Sequence, residues 1–414
     1  MESAKIIGGL TRITRDVGLA EEVAQEALVA ALEQWPQSGI PDNPGAWLMA
    51  TAKHRAVDHW RRIQVRERKS EELGRELQYR QEASSASLSG SVTNFDAALD
   101  DDIGDDVLRL MFISCHPVLT TDARVALSLR LLGGLSTDEI ARAFLVPEPT
   151  VAQRIVRAKK TLAEARVPFE VPEAGELTTR LSSVLEVIYL VFNEGYAATA
   201  GDHWMRPALC EEALRLGRIL AELMPREPEV HGLIALMEIQ ASRAAARAGE
   251  SGEPILLLEQ NRALWDQLLI RRGLTALARA EKFERGRGTY TLQAAIAACH
   301  ARARTADETD WKRIVTIYDA LANLAPSPIV ELNRAVALSM AFGPDAGLSL
   351  VDALAKEPAL KNYHLLPSVR GTFLFKLGRL DEARVEFEKA ATLTRNTRER
   401  KLLQDRAEAC VVPP

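Results

Sequence analysis

The stretch Leu135–Ala165, LSTDEIARAFLVPEPTVAQRIVRAKKTLAEA, constrains this chain more than any other. Pro147 and Pro149 separate two segments of helical period, so one helix stops and another starts there. Ser136 and Glu139 form a capping box that opens the first helix. At about 100° per residue, Val151, Ile155, Ala158 and Leu162 fall on one stripe of the second helix. Gln153, Arg157 and Lys160 face the other way, with Arg154 and Lys159 on the flanks. A helix held by an apolar back, with amide and guanidinium groups outward, suits the major groove of DNA. An ordinary amphipathic hairpin with a solvated basic face has the same pattern, so the stretch alone leaves both open.

The rest of the chain narrows the setting. Its 414 residues suffice for two to four domains. It is rich in Ala, Leu, Arg and Glu, and no run alternates as a strand does, which predicts an all-α fold. The net charge of -5 means that any contact with a polyanion rests on local basic patches. The four cysteines are far apart and form no C-x-x-C pair, and Cys115-His116 reads as structural. The seven histidines and four cysteines make no Ser/His/Asp constellation, metal cluster or Gly-rich phosphate loop, so an enzyme is not expected, and neither a cofactor nor a metal. No apolar run is long enough for a bilayer and the first residues lack a signal-peptide core, which predicts a soluble cytoplasmic protein without membrane contact.

In chain order, the first helical region runs from about Lys5 to Glu33. Glu22, Glu26 and Glu33, with Gln25 beside them, line one side, and Val23, Ala27 and Ala30 the other; on charge alone the acidic side is a solvated face. WPQSGIPDNPGAW breaks the helix, and Asn43-Pro44 caps the next one. Over residues 46–62, Met49, Ala50, Ala56, Val57 and Trp60 form the apolar side, opposite Trp47, Thr51, His54, Arg55, Arg61 and Arg62. Trp47 among basic groups suits stacking on an unpaired base; burial under the proline-rich loop is the alternative. From Lys53 to Lys69 seven Lys/Arg stand against two acids.

Residues from about Gln64 to Asp106 read as a linker, and the five Asp between 100 and 106 as an acidic helix cap or a shield for the basic helices. A helical module follows to Ala165, and the proline-rich residues 167–176 mark a boundary. Beyond it, helix pairs recur: Gly343 and Gly378 occupy equivalent turns at a 35-residue interval, near the period of tetratricopeptide pairs. Such pairs stack into a solenoid with a concave surface for protein partners.

These pieces, in this order, resemble the sigma-70 family. AEEVAQEALVAALEQW (20–35) is similar to region 2.2, NPGAWLMATAKHRAVDHWRR (43–62) to regions 2.3 and 2.4, and LSTDEIARAFLVPEPTVAQRIVRAKKTL (135–162) to region 4.2. The lack of a substantial region 3 resembles the extracytoplasmic-function (ECF) group. VIYLVFNEGY (187–196), RPALCEEALRLGRIL (206–220) and SPIVELNRAVA (327–337) resemble the tetratricopeptide-like extension of one of its subgroups.

The resemblance implies region 2 over 1–64, a flexible linker over 65–106, a region 4 helix-turn-helix over 107–168 and a tetratricopeptide-like α-solenoid over 176–414. It implies that core RNA polymerase, through its β′ clamp and β flap, and promoter DNA are partners. A small YCII-related (DGPF) protein is a candidate partner of the solenoid. Glu22, Gln25 and Glu26 would dock on the clamp. Asn43, Trp47, Lys53, His54, Arg55, Arg61 and Arg62 would serve the −10 element; Thr150, Gln153, Arg154, Arg157, Lys159 and Lys160 the −35 element. His54 stands where the family commonly has Asn, and the segment before Arg15 is short for region 2.1. A conventional helix-turn-helix regulator with a tetratricopeptide sensor is the alternative, but it would have no need of the 20–62 block.

Overall fold

The computed structural model describes residues 2–59, 103–144, 146–198, 200–202, 205–249, 253–283 and 288–411. Trp60, Arg61, Arg62 and the linker up to residue 102 lie outside the described residues. The fold is all-α. Two compact units divide it, Met1–Arg142 with Val146–Val187, and Ala143–Leu145 with Ile188–Pro414. The division falls inside helix α8 (Ala174–Tyr196), beyond the proline-rich boundary at 167–176.

The first unit begins with α1 (Glu2–Thr14) and α2 (Val17–Ser38), where the sequence suggested one helical region. The break is chemical. Asp16 accepts from the backbone N–H of Gly18 at 2.7 Å and of Leu19 at 3.1 Å, so it caps a new helix, while Arg15 takes φ +55°. Pro36 does not end α2. It lies exposed in the last turn, and the helix stops at Gly39, whose φ of +83° suits only glycine well.

Helix α3 occupies residues 44–59. It buries Leu48, Ala52 and Ala56, while Ala50 and Val57 are exposed and Met49 is half-buried, which corrects the predicted apolar side. The segment carries more apolar residues than one face can hold, so periodicity did not single out the buried stripe.

The core of this unit joins α1 to α4 (Ile103–Ser114) and α5 (Thr121–Leu131) through Ile7, Leu10, Leu110, Phe112 and Leu127. Gly8 allows the close approach: a Cβ there would lie 2.9 Å from the Asp106 carbonyl oxygen. The last aspartate of the acidic run is thus no shield. Asp106 is buried and bridges Arg109 at 2.8 Å and Arg12 at 3.4 Å. The first half of α8 closes the unit: Ser183 donates to the Cys115 carbonyl at 2.6 Å, Arg180 to that of Phe112 at 3.1 Å, and Arg124 pairs with Glu186 at 3.0 Å.

The second unit packs its helices largely in chain order. Helix α10 (Pro228–Ala241) contacts α9 (Pro207–Leu223), α11 (Gln267–Ala280) and α12 (Thr289–Arg302). Each of α13 (Trp311–Leu324), α14 (Pro328–Phe342), α15 (Pro344–Leu354), α16 (Leu365–Lys376), α17 (Leu380–Leu393) and α18 (Thr397–Ala409) then meets its neighbour. Gly343 and Gly378 do sit at inter-helix turns, with φ of +102° and +74°. A two-residue parallel pair, Ala200–Gly201 with Arg395–Asn396, ties the start of the unit to its end, and buried Asn396 donates to the Ala198 carbonyl at 3.1 Å.

The four cysteines are free, and burial raises each thiol pKa. His116 accepts from the Val118 N–H, and burial with the nearby Arg180 lowers its pKa to about 4. No described helix is long and apolar enough to cross a membrane, and no cluster of three or more His, Cys, Asp or Glu among the described residues could hold a metal.

Candidate nucleic-acid interface

The helix-turn-helix forms from α6 (Thr137–Phe144) and α7 (Glu148–Glu164). Its capping box is in place: Glu139 accepts from the Ser136 N–H at 2.8 Å and Ser136 Oγ from the Glu139 N–H at 3.2 Å. The Ser136 N–H on the carboxylate, with the Ser136 side chain beside it, holds the Glu139 carboxyl below its usual pKa. The buried residues of α7 are Val151, Ile155, Ala158 and Leu162, the stripe that the period predicts.

That burial turns Gln153, Val156, Arg157 and Lys160 to solvent, with Val156 65% exposed. Arg157 has no carboxylate within ion-pair distance among the described residues, and Lys160 has only the exposed Glu164 at 3.6 Å, one helical turn on. The flanking cations are engaged. Arg154 pairs with Asp122 of α5 at 2.8 Å. Lys159 is ion-paired with Glu21 of α2, which also accepts from Arg130 Nε at 2.6 Å. Thr150 is half-buried in the first turn.

On α3, Trp47 is half-buried and meets Trp35 of α2 edge to face, ring centroids 5.5 Å apart. The cover expected from the proline-rich loop comes from the helix before it. Asn43 spends its side chain as the N-cap, accepting from the Ala46 N–H at 3.1 Å. Lys53 is half-buried and His54 exposed. Arg55 pairs with Glu26 at 2.9 Å, which joins one of the predicted −10 residues to one of the predicted clamp residues. Arg61 and Arg62 lie outside the described residues.

On α2, Glu22 and Glu26 are exposed and Gln25 is half-buried. Sequence reasoning missed two neighbours: Val29 is 53% and Leu32 76% exposed on the same helix. Glu21 was missed as well, because a carboxylate next to another, Glu22, reads as more of the same face. Only the fold shows that it points inward.

Comparison with known proteins finds family models for both segments. The model of sigma-70 region 2 matches residues 3–66, that of sigma-70 region 4 matches 109–162, and a family of unknown function, DUF6596, matches 180–281. An uncharacterized protein, R00370, of Rhizobium meliloti is 43% identical over 95% of this chain and 90% of its own length. The ECF RNA polymerase sigma factor SigK of Mycobacterium ulcerans is 29% identical over 38% of this chain and 78% of its own length. SigK of Mycobacterium tuberculosis is 28% identical over the same shares. No solved structure matches the chain. With both sigma modules in order, the helix-turn-helix built as region 4 requires and a long relative sharing the whole arrangement, the chain belongs to the extracytoplasmic-function group of the sigma-70 family.

Proposed function

We propose that this sigma factor docks on core RNA polymerase through the Glu22/Gln25/Glu26 side of α2. It would then select promoters with two readers and carry a C-terminal helical region that regulates it through protein contacts. The observation that carries the reading is α7: its apolar stripe is buried, and Gln153, Arg157 and Lys160 project together into solvent. Set in the major groove, these side chains reach base edges and phosphates of the −35 element. Each good bidentate contact would contribute about 1–3 kcal/mol of discrimination. Phosphate contacts set the register and make binding fall with salt.

The residues of α3 serve the −10 element. Trp47 shares its helix with Lys53, His54 and Arg55, and an unpaired base would stack on the face of its ring. Unstacking a base costs roughly a few kcal/mol, which stacking and pocket contacts must offset. No covalent bond is made or broken; the work is binding energy spent on DNA opening. Exposed Val29 and Leu32 extend the docking face with apolar area, so polymerase binding would not rest on the acids alone. For Lys159 and Arg154 to reach DNA, they must give up Glu21 and Asp122.

The packing of successive helices in the second unit supports the reading of a solenoid with a surface for partners, among which a small YCII-related protein is a candidate. Run-off transcription with core polymerase on a genomic promoter library tests the whole proposal. Promoter-specific transcripts that share two spaced elements are expected; their absence with stoichiometric polymerase would overturn it.

A further inference from the structure

Helices α9, α10 and α11 line an open groove of about 890 Å³ in the second unit. Its wall carries Arg218 and the exposed Glu222 from α9 and Arg271, Arg272 and Arg279 from α11, and its lining includes Glu238 from α10. Arg272 and Arg279 are seven residues apart, so they share a helix side at a rise of about 10.5 Å. All three α11 arginines are exposed, and no described carboxylate lies within ion-pair distance of them. Arg271 uses only its Nε, on the Gln267 carbonyl at 3.3 Å.

Several other arginines of the unit are paired with carboxylates. Arg334 holds Asp319 and Glu331, Arg370 holds Asp352 and Glu386, and Arg379 holds Glu382. Arg271, Arg272 and Arg279 leave three exposed guanidinium groups on one helix, a local positive field that attracts carboxylates.

Glu238 supplies a second, independent observation. It is 2% exposed, and Arg218 donates to its Oε1 at 2.9 Å. Its Oε2 has no hydrogen-bond partner. A buried carboxylate oxygen without a donor is costly, and a ligand N–H would relieve it. His231, beside it, is already occupied: its Nε2 lies 2.8 Å from the Pro225 carbonyl and its ring stacks on Phe283.

We propose that this groove binds an acidic peptide segment of a protein partner. Carboxylates of the segment pair with Arg271, Arg272 and Arg279, and a backbone N–H donates to Glu238 Oε2. A polyphosphate would meet the arginines but brings only acceptors, and the glutamate would repel it; a peptide brings carboxylates and N–H donors together. The proposal rests on the reading of the C-terminal region as a protein-contact surface.

Display of random dodecapeptides against the full chain tests it. Selected peptides are expected to be enriched in Asp and Glu, and to bind the Arg272→Glu/Arg279→Glu variant about tenfold more weakly, with an unchanged thermal melt. The Arg272→Gln/Arg279→Gln variant, which reverses no charge, should show a smaller loss in the same direction. Glu238→Gln removes a negative charge, so simple attraction predicts tighter binding; loss of the N–H acceptor predicts weaker binding, which is the outcome expected. Neutral or basic selected peptides, equal binding by the arginine variants, or tighter binding by Glu238→Gln would overturn the proposal. So would tripolyphosphate binding that the arginine variants abolish while no acidic peptide is enriched. Because the readout is peptide binding, it stands or falls apart from transcription by the polymerase complex.

Discussion

Glu21 of α2 holds Lys159 of α7. The carboxylate is 5% exposed and bridges that lysine to Arg130, so a residue beside the proposed docking face of α2 grips one from the helix proposed to read DNA. Glu21→Gln removes the charge and keeps the shape. Lys159 is then free, and affinity for a −35 duplex should rise, with a steeper salt dependence. Breaking a buried ion pair on one side costs about 3–5 kcal/mol. Solvent at the partly exposed cations reduces that here, so a lower melting temperature is also expected. Fluorescence anisotropy at two salt concentrations checks the first effect; unchanged affinity would show that Lys159 does not compete for DNA.

Arg154→Ala should weaken −35-dependent transcription by about tenfold, the equivalent of one bidentate base contact, and leave polymerase binding intact. Its partner Asp122 is exposed, so little stability goes with it. Loss of polymerase binding would refute the assignment.

Trp47→Ala is expected to lower both stability and strand opening. The edge-to-face pair with Trp35 contributes about 0.5–1.5 kcal/mol beyond buried area. Trp47→Phe retains an aromatic pair and separates the effects. If permanganate reactivity of the −10 region is normal in Trp47→Ala, the base-stacking role is wrong.

A fragment ending at residue 170 should be markedly less stable than one ending at 196. The shorter fragment loses Ser183, Arg180 and Glu186, which bind Cys115, Phe112 and Arg124. Paired urea melts check this, and coincident curves would show that α8 adds nothing to the first unit. Tests of C-terminal regulation should therefore compare the full chain with the longer fragment.

His300 gives the second unit a pH dependence. It is 8% exposed, and burial, then the charges of Arg243 and Arg262, lower its pKa from 6.5 to about 4. The unfolded chain therefore binds the proton first. Stability is fully present above pH 6.5 and is lost as pH falls from there toward 4, by about 3 kcal/mol for this group. Urea unfolding at pH 7.5 and 5 should show the drop, and His300→Phe should flatten it.

Much of this was legible in the sequence because it is local. A capping box, two prolines and a four-residue apolar stripe are each set within one or two turns, and α6 and α7 form as those signals require. Asp16, between Arg15 and Val17, is the cap that divides α1 from α2, although the helical period of the sequence runs on through it. Less accessible were the pairings across distance. Nothing local distinguishes Glu21 from Glu22, yet one is buried against Arg130 and the other faces water. The same holds for Trp47, whose partner Trp35 lies across a loop, and for Asp106, which reads as a solvated acid and is a core ion-pair partner.

The buried cysteines have a practical corollary. The Cys210 thiol is pushed up to about 12, and Cys115, Cys299 and Cys410 are raised as well, so few thiolates are present near neutral pH. A maleimide dye should leave all four alone. A single cysteine introduced on the exposed side of α2, and another on α7, would then be the reactive handles of an otherwise unaltered chain. Single-molecule energy transfer between them could time how often the Glu21 grip lets go.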